Sequence, residues 1–212
     1  MFLTLANLVT IFRILLILPF VVCLVKSANP LYSLSMRWAA LGIFVIMSAS
    51  DALDGYLARV KKQATPLGAF LDPLADKLMI TCACVILSLP QTAVEGFRLP
   101  LTVVVLIIGK DTLLLLGFVV TYFLTGGIHI KPIWAGKAST FFQICMVLSI
   151  LIGPEVSDHF QLWAVLVSIL WWLTGFWALI ATFVYIWRGI RYIKWFESNT
   201  ETESQERKYE QQ

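Results

Sequence analysis

Six apolar runs of near-bilayer length follow one another along this chain, at about residues 11–28, 38–60, 67–89, 99–124, 138–153 and 160–187. A hydrocarbon core about 30 Å thick takes roughly 20 helical residues to cross. Lipid offers no partner for backbone N–H and C=O groups, so each spanning segment must satisfy its own hydrogen bonds as a helix. The expected fold class is therefore all-α, a polytopic membrane protein of six transmembrane helices. Charged residues make up 14% of the sequence, against roughly 25% in an average soluble domain. That balance excludes an ordinary soluble globule.

Four aspartates break this apolar background, in the run DALDGYLARVKKQATPLGAFLDPLADK. A carboxylate at membrane depth is costly, so four on neighbouring segments require a compensating cation. Asp51 and Asp54 are three residues apart and Asp72 and Asp76 four, so on helices each pair shares a face. Gly55 and Ala58 lie on the face of Asp51 as a nearly bare surface for a flat ligand. Arg59 follows, where a guanidinium can meet phosphate. Oxygen ligands without His or Cys favour Mg²⁺ or Mn²⁺ over Zn²⁺, and Mg²⁺ usually shares its shell with substrate phosphates. A structural network, with Asp51 paired to Arg59 or Lys77, is the plainer alternative.

Cys23, Cys82, Cys84 and Cys145 fall in apolar stretches without zinc-ligand spacing and read as small buried hydrophobes. With the N-terminus cytoplasmic, the inside segments hold Arg13, Arg59, Lys61, Lys62, Lys131, Lys137, Arg188, Arg191 and Lys194, and the outside loops only Lys26, Arg37 and Arg98. Both termini and the aspartates then face the cytoplasm, open to a water-soluble nucleotide and still within reach of lipid. The net charge of +3 comes from these positive loops, so no nucleic-acid partner is expected. Apolar residues before Arg13 argue for an uncleaved first span rather than a signal peptide. Taken alone, Arg13 reads as a snorkelling interfacial charge.

The spacing D-x2-D-G-x2-A-R-x8-G-x3-D-x3-D, filled by Asp51, Asp54, Gly55, Ala58, Arg59, Gly68, Asp72 and Asp76, resembles the signature of the CDP-alcohol phosphatidyltransferase family. Asn7, Thr10 and Arg13 resemble the family's N-x-x-T-x-x-R pattern, and the segment before the first span its N-terminal interfacial helix. The resemblance implies transfer of a phosphatidyl group from CDP-diacylglycerol to an alcohol, with release of CMP and no covalent enzyme intermediate. It implies two divalent cations, Mg²⁺ or Mn²⁺, held by Asp51, Asp54, Asp72 and Asp76. Asp76 would also take the proton of the acceptor hydroxyl, while Asp51, Gly55, Ala58 and Arg59 would bind the CDP moiety.

Two branches of that family fit. Phosphatidylglycerophosphate synthases use glycerol 3-phosphate and resemble the DPLADK run; CMP-forming cardiolipin synthases use phosphatidylglycerol and resemble KPIWAGKASTFFQ. The first branch usually has Arg-Glu where this chain has Lys110-Asp111, and no arginine lies between Arg98 and Arg188. Glycerol 3-phosphate is the favoured acceptor, with Lys110 and Lys137 as candidate phosphate contacts, since lysines can meet phosphate as point charges. Lys110-Asp111 reads equally as an internal salt bridge. A divalent-cation transporter, a different class, would show two related halves, and no internal symmetry is visible.

The membrane domain is expected over residues 1–197, in a membrane of bacterial inner-membrane type. Arg188, Arg191 and Lys194, interleaved with aromatic and aliphatic residues, suit a helix on anionic lipid. Residues 198–212 read as a disordered polar tail. Trp163, Trp171, Trp172 and Trp177 make the sixth span a candidate homodimer surface.

Overall fold

The computed structural model describes the backbone of residues 5–61, 66–125 and 134–210, and the side chains of residues 8–51, 74–117, 119 and 134–191. Over these residues the chain forms seven helices: α1 (Leu5–Lys26), α2 (Ser33–Lys61), α3 (Pro66–Ser88), α4 (Leu101–Thr125), α5 (Trp134–Leu151), α6 (Gly153–His159) and α7 (Trp163–Glu210). The protein is an all-helical membrane protein. Six of the helices coincide with the six apolar runs. Among the described residues, four stretches are long and apolar enough to cross a membrane: Leu8–Lys26, Ser33–Asp51, Trp134–Leu151 and Trp163–Arg191.

Each helix sorts its residues by face. On α1, Leu8, Phe12, Leu15, Leu18, Val22 and Val25 are exposed, as suits lipid, while Thr10, Arg13, Phe20 and Leu24 are buried. The buried set is spaced by three, seven and four residues, which keeps it on one helical face. On α2 the buried set is Arg37, Ala40, Phe44 and Met47, and Asp51 continues it by one more turn. Phe20 and Phe44 meet with ring centroids 5.6 Å apart. The pair α1–α2 and the pair α1–α3 pack closely, as do α4 and α5 against α7. Thr174, Ala178 and Ala181 are the buried small side chains of α7, and small residues of this kind let membrane helices approach.

The opposite end from Asp51 is closed by a short cap. Arg37 of α2 pairs with Glu155 of α6, and Arg98 Nε donates to the Ser88 carbonyl at the end of α3 at 3.0 Å. Gly96 has φ of 76°, a left-handed conformation open to glycine, and it turns Phe97 into the core.

Two expectations are corrected. No separate interfacial helix precedes the first span among the described residues, because α1 runs unbroken from Leu5 to Lys26; the early residues are as apolar as those after Arg13, so nothing marks a boundary. The backbone of α7 continues through the polar stretch from residue 198 to Glu210. Extending an existing helix costs far less than starting one, and Glu, Gln, Lys and Arg are good helix formers. The basic segment after residue 187 is likewise a continuation of α7 and not a new helix. The short α6, opened by Pro154 at its first turn, was not legible as a separate element.

Candidate active site between α1, α2 and α3

Asp51 lies ten residues before the end of α2 and Asp76 ten residues after the start of α3. The two carboxylates come within electrostatic reach of each other: Asp51, Asp111, Lys77 and Arg13 are the charges acting on Asp76. Arg13 comes from α1, the helix that packs on both α2 and α3. Its Nη1 donates to Asp51 Oδ1 at 2.8 Å. Arg13 is fully buried whereas the Asp51 side chain is 42% exposed, so the pair has one dry partner and one open to an incoming group. The arginine is thus a buried partner of Asp51 and does not snorkel to the interface. Lys77, the described one of the two partners suggested by the sequence, pairs instead with Asp76 and Asp111.

A second set of charges joins Asp76 to the middle of α4. Lys77 Nζ lies 3.6 Å from Asp76 Oδ2 and 3.1 Å from Asp111 Oδ1. Lys110 Nζ lies 2.9 Å from the same Asp111 oxygen and donates to Ser139 Oγ of α5 at 3.2 Å. Lys110 and Asp111 are both buried, so the internal salt bridge is present and extends into a four-residue network. Gln143 lies one turn beyond Ser139 on the same buried face of α5, with both amide atoms buried and without hydrogen-bond partners. Lys137 is exposed while Ser139, two residues on, is fully buried. Residues two apart on a helix point about 200° apart, so Lys137 is not brought together with Lys110.

The side chains of Asp54, Gly55, Ala58, Arg59 and Asp72 lie outside the described residues. Their backbone belongs to α2 and α3, the two helices that bear Asp51 and Asp76. Among the described residues no group of three or more His, Cys, Asp or Glu side chains gathers as a metal site. Among the described residues, Asp51 and Asp76 offer the oxygen ligands that a hard divalent cation takes; Asp51 is the open one, and Arg13 and Lys77 supply the positive charge beside them here. Arg13, Lys77 and Ser139 are the contributors that sequence reasoning underweighted. Arg13 carried a readable signal, since it recurs at helical spacing with Thr10, Phe20 and Leu24 and opposite the lipid-facing stripe of α1.

Comparison with known proteins bears on the same region. The family model for CDP-alcohol phosphatidyltransferase matches residues 3–184. A CDP-diacylglycerol–glycerol-3-phosphate 3-phosphatidyltransferase of Pseudomonas fluorescens is 48% identical over 84 residues, 38% of this chain and 39% of that protein. The chloroplastic enzyme of the same name, numbered 1, from Oryza sativa subsp. japonica is 31% identical over 171 residues, 72% of this chain and 48% of that protein. A cardiolipin synthase (CMP-forming) from Oryza sativa subsp. japonica is 45% identical over 64 residues, 29% of this chain and 20% of that protein. The chain thus spans less than half the length of each of these curated relatives.

Proposed function

The chain belongs to the CDP-alcohol phosphatidyltransferase family, and from that membership we propose that it transfers a phosphatidyl group from CDP-diacylglycerol to glycerol 3-phosphate, releasing CMP. The observation that supports this best is the ion pair of the buried Arg13 with the open carboxylate of Asp51, inside the stretch that matches the family. Two Mg²⁺ or Mn²⁺ ions held by Asp51, Asp54, Asp72 and Asp76 would neutralise the pyrophosphate and favour departure of CMP. Asp76 takes the proton as the acceptor oxygen bonds to the phosphatidyl phosphorus and the bridging P–O bond to CMP breaks. Gly55 and Ala58 leave room for the cytidine, and Arg59 meets the nucleotide phosphate. Residues 1–197 make up the catalytic membrane domain. Its six spans put both termini and the aspartates on the cytoplasmic side of a bacterial inner membrane.

Glycerol 3-phosphate is preferred because the acceptor appears in the names of the Pseudomonas and chloroplastic relatives. One observation favours phosphatidylglycerol instead. Lys110, a candidate contact for the phosphomonoester, is already held by Asp111 and Ser139, and a phosphatidylglycerol acceptor has no such dianion to meet. Purified protein supplied with CDP-diacylglycerol, a divalent metal and each acceptor in turn tests both readings. CMP release with glycerol 3-phosphate supports the first, and cardiolipin formed from phosphatidylglycerol supports the second. Divalent-metal transport without any CMP would overturn the enzyme reading altogether. A homodimer through the tryptophans of α7 is a separate proposal, tested by the oligomeric state in mild detergent.

A further inference from the structure

Lys77 sits between two carboxylates, 3.6 Å from Asp76 and 3.1 Å from Asp111. A lysine adjacent in sequence to a site carboxylate has a four-carbon stem and roughly 2 kcal/mol of rotamer entropy, so without a second partner it would range over many orientations. Asp111 removes that freedom. Its own position is fixed in turn by Lys110, which is fully buried and anchored on Ser139. The sequence Ser139–Lys110–Asp111–Lys77–Asp76 therefore runs from α5 through α4 to α3 without a break. Two cations share the single carboxylate of Asp111, leaving one positive charge in excess, and Asp76 is the group next to it. In a low-dielectric interior such an excess acts strongly on the nearest anion.

We propose that Asp111 is a positioning residue for Asp76, acting through Lys77 in the reaction set out above, on which this inference rests. Asp111 and Lys77 touch no reacting atom; they fix the direction in which the Asp76 carboxylate faces the acceptor hydroxyl. A loose carboxylate would still permit binding but would spend less time in the geometry for proton transfer.

The test is a double-mutant cycle on the purified full chain, with CMP release measured as kcat and as KM for CDP-diacylglycerol and for the acceptor. Asp111→Asn and Lys77→Met are each expected to lower kcat about tenfold with both KM values changed less than about twofold, and the double variant to be no slower than Lys77→Met alone. Lys77→Arg, which can bridge the same two carboxylates, is expected to recover activity to within about threefold of wild type. Losses that multiply in the double variant would assign Asp111 an independent structural role and overturn the proposal. So would an unchanged kcat in either single variant, or a raised acceptor KM at constant kcat in Asp111→Asn. Lys77→Met leaves the Lys110–Asp111 pair intact, so it decides the matter even where Asp111→Asn is unstable. A wild-type chain that releases no CMP with any acceptor overturns the reaction and this inference together. An active wild type with an indifferent Lys77→Met variant overturns the inference alone.

Discussion

Arg13 and Asp51 obey the same antiparallel register as Phe20 and Phe44: the ion pair lies seven residues back along α1 and seven residues forward along α2 from the aromatic pair. Seven residues are two helical turns, about 10 Å of axis. The apolar packing that aligns the two helices thus also determines where the guanidinium meets the carboxylate. A site residue is set by core packing two turns away.

Replacing Arg13 tests that coupling. Arg13→Ala removes a charged hydrogen bond and leaves Asp51 to water, which the exposure of its side chain permits. The expected cost is about 2 kcal/mol, the ordinary range for hydrogen bonds to charged groups. It is read as a lowered thermal midpoint in detergent. Added Mg²⁺ or Mn²⁺ should offset part of the loss, because a cation at the carboxylates replaces the missing positive charge, and EDTA should abolish the offset. A midpoint equal to that of wild type would mean that the pair contributes nothing to stability.

Asp76→Asn separates chemistry from binding. The amide cannot take the acceptor proton, but Asp51, Asp54 and Asp72 remain to hold metal in the proposed site. Turnover should fall at least about 10²-fold, the lower range for losing a general base. CDP-diacylglycerol binding, followed by equilibrium titration, should stay substantial. Near-wild-type CMP release would remove Asp76 from the base role.

The reach of the sequence differs between these residues for a physical reason. Helix identity is a local property, governed by apolar run length, and it was legible. Arg13 pairing with Asp51 is contact across 38 residues, and it depends on the register of two helices. That register is fixed by which apolar side chains interdigitate, and several registers satisfy the same hydropathy. Lys110 shows the intermediate case. Its burial followed from its place in an apolar run, but its bond to Ser139 required knowing that α4 and α5 face each other.

Lys110 and Lys137 can now be told apart. Lys110 is buried within the network that reaches Asp76, and Lys137 is exposed on the other side of α5. Lys110→Ala releases Asp111 and should lower kcat about tenfold, with kcat/KM for CDP-diacylglycerol falling in step. Lys137→Ala should leave both within about twofold, as surface substitutions usually do. Equal effects from the two variants would remove the distinction that the geometry draws between them.

Gly153→Ala addresses packing far from the chemistry. A Cβ at this position would lie 2.7 Å from Phe97 Cδ2, with two further ring carbons at 2.8 Å. Phe97 is 3% exposed and belongs to the hydrophobic core, so its ring has little room to retreat. Overpacking of this kind costs typically about 1–3 kcal/mol. The clash lies at the end of the bundle where Arg37 pairs with Glu155, and Asp51 is fourteen residues along α2 from Arg37, about 21 Å of helix. Thermal stability should therefore fall while kcat, measured well below the midpoint, stays within about twofold of wild type. A fall in kcat at unchanged stability would mean that the α6 cap communicates with the carboxylates, and that the two ends of α2 are not mechanically independent.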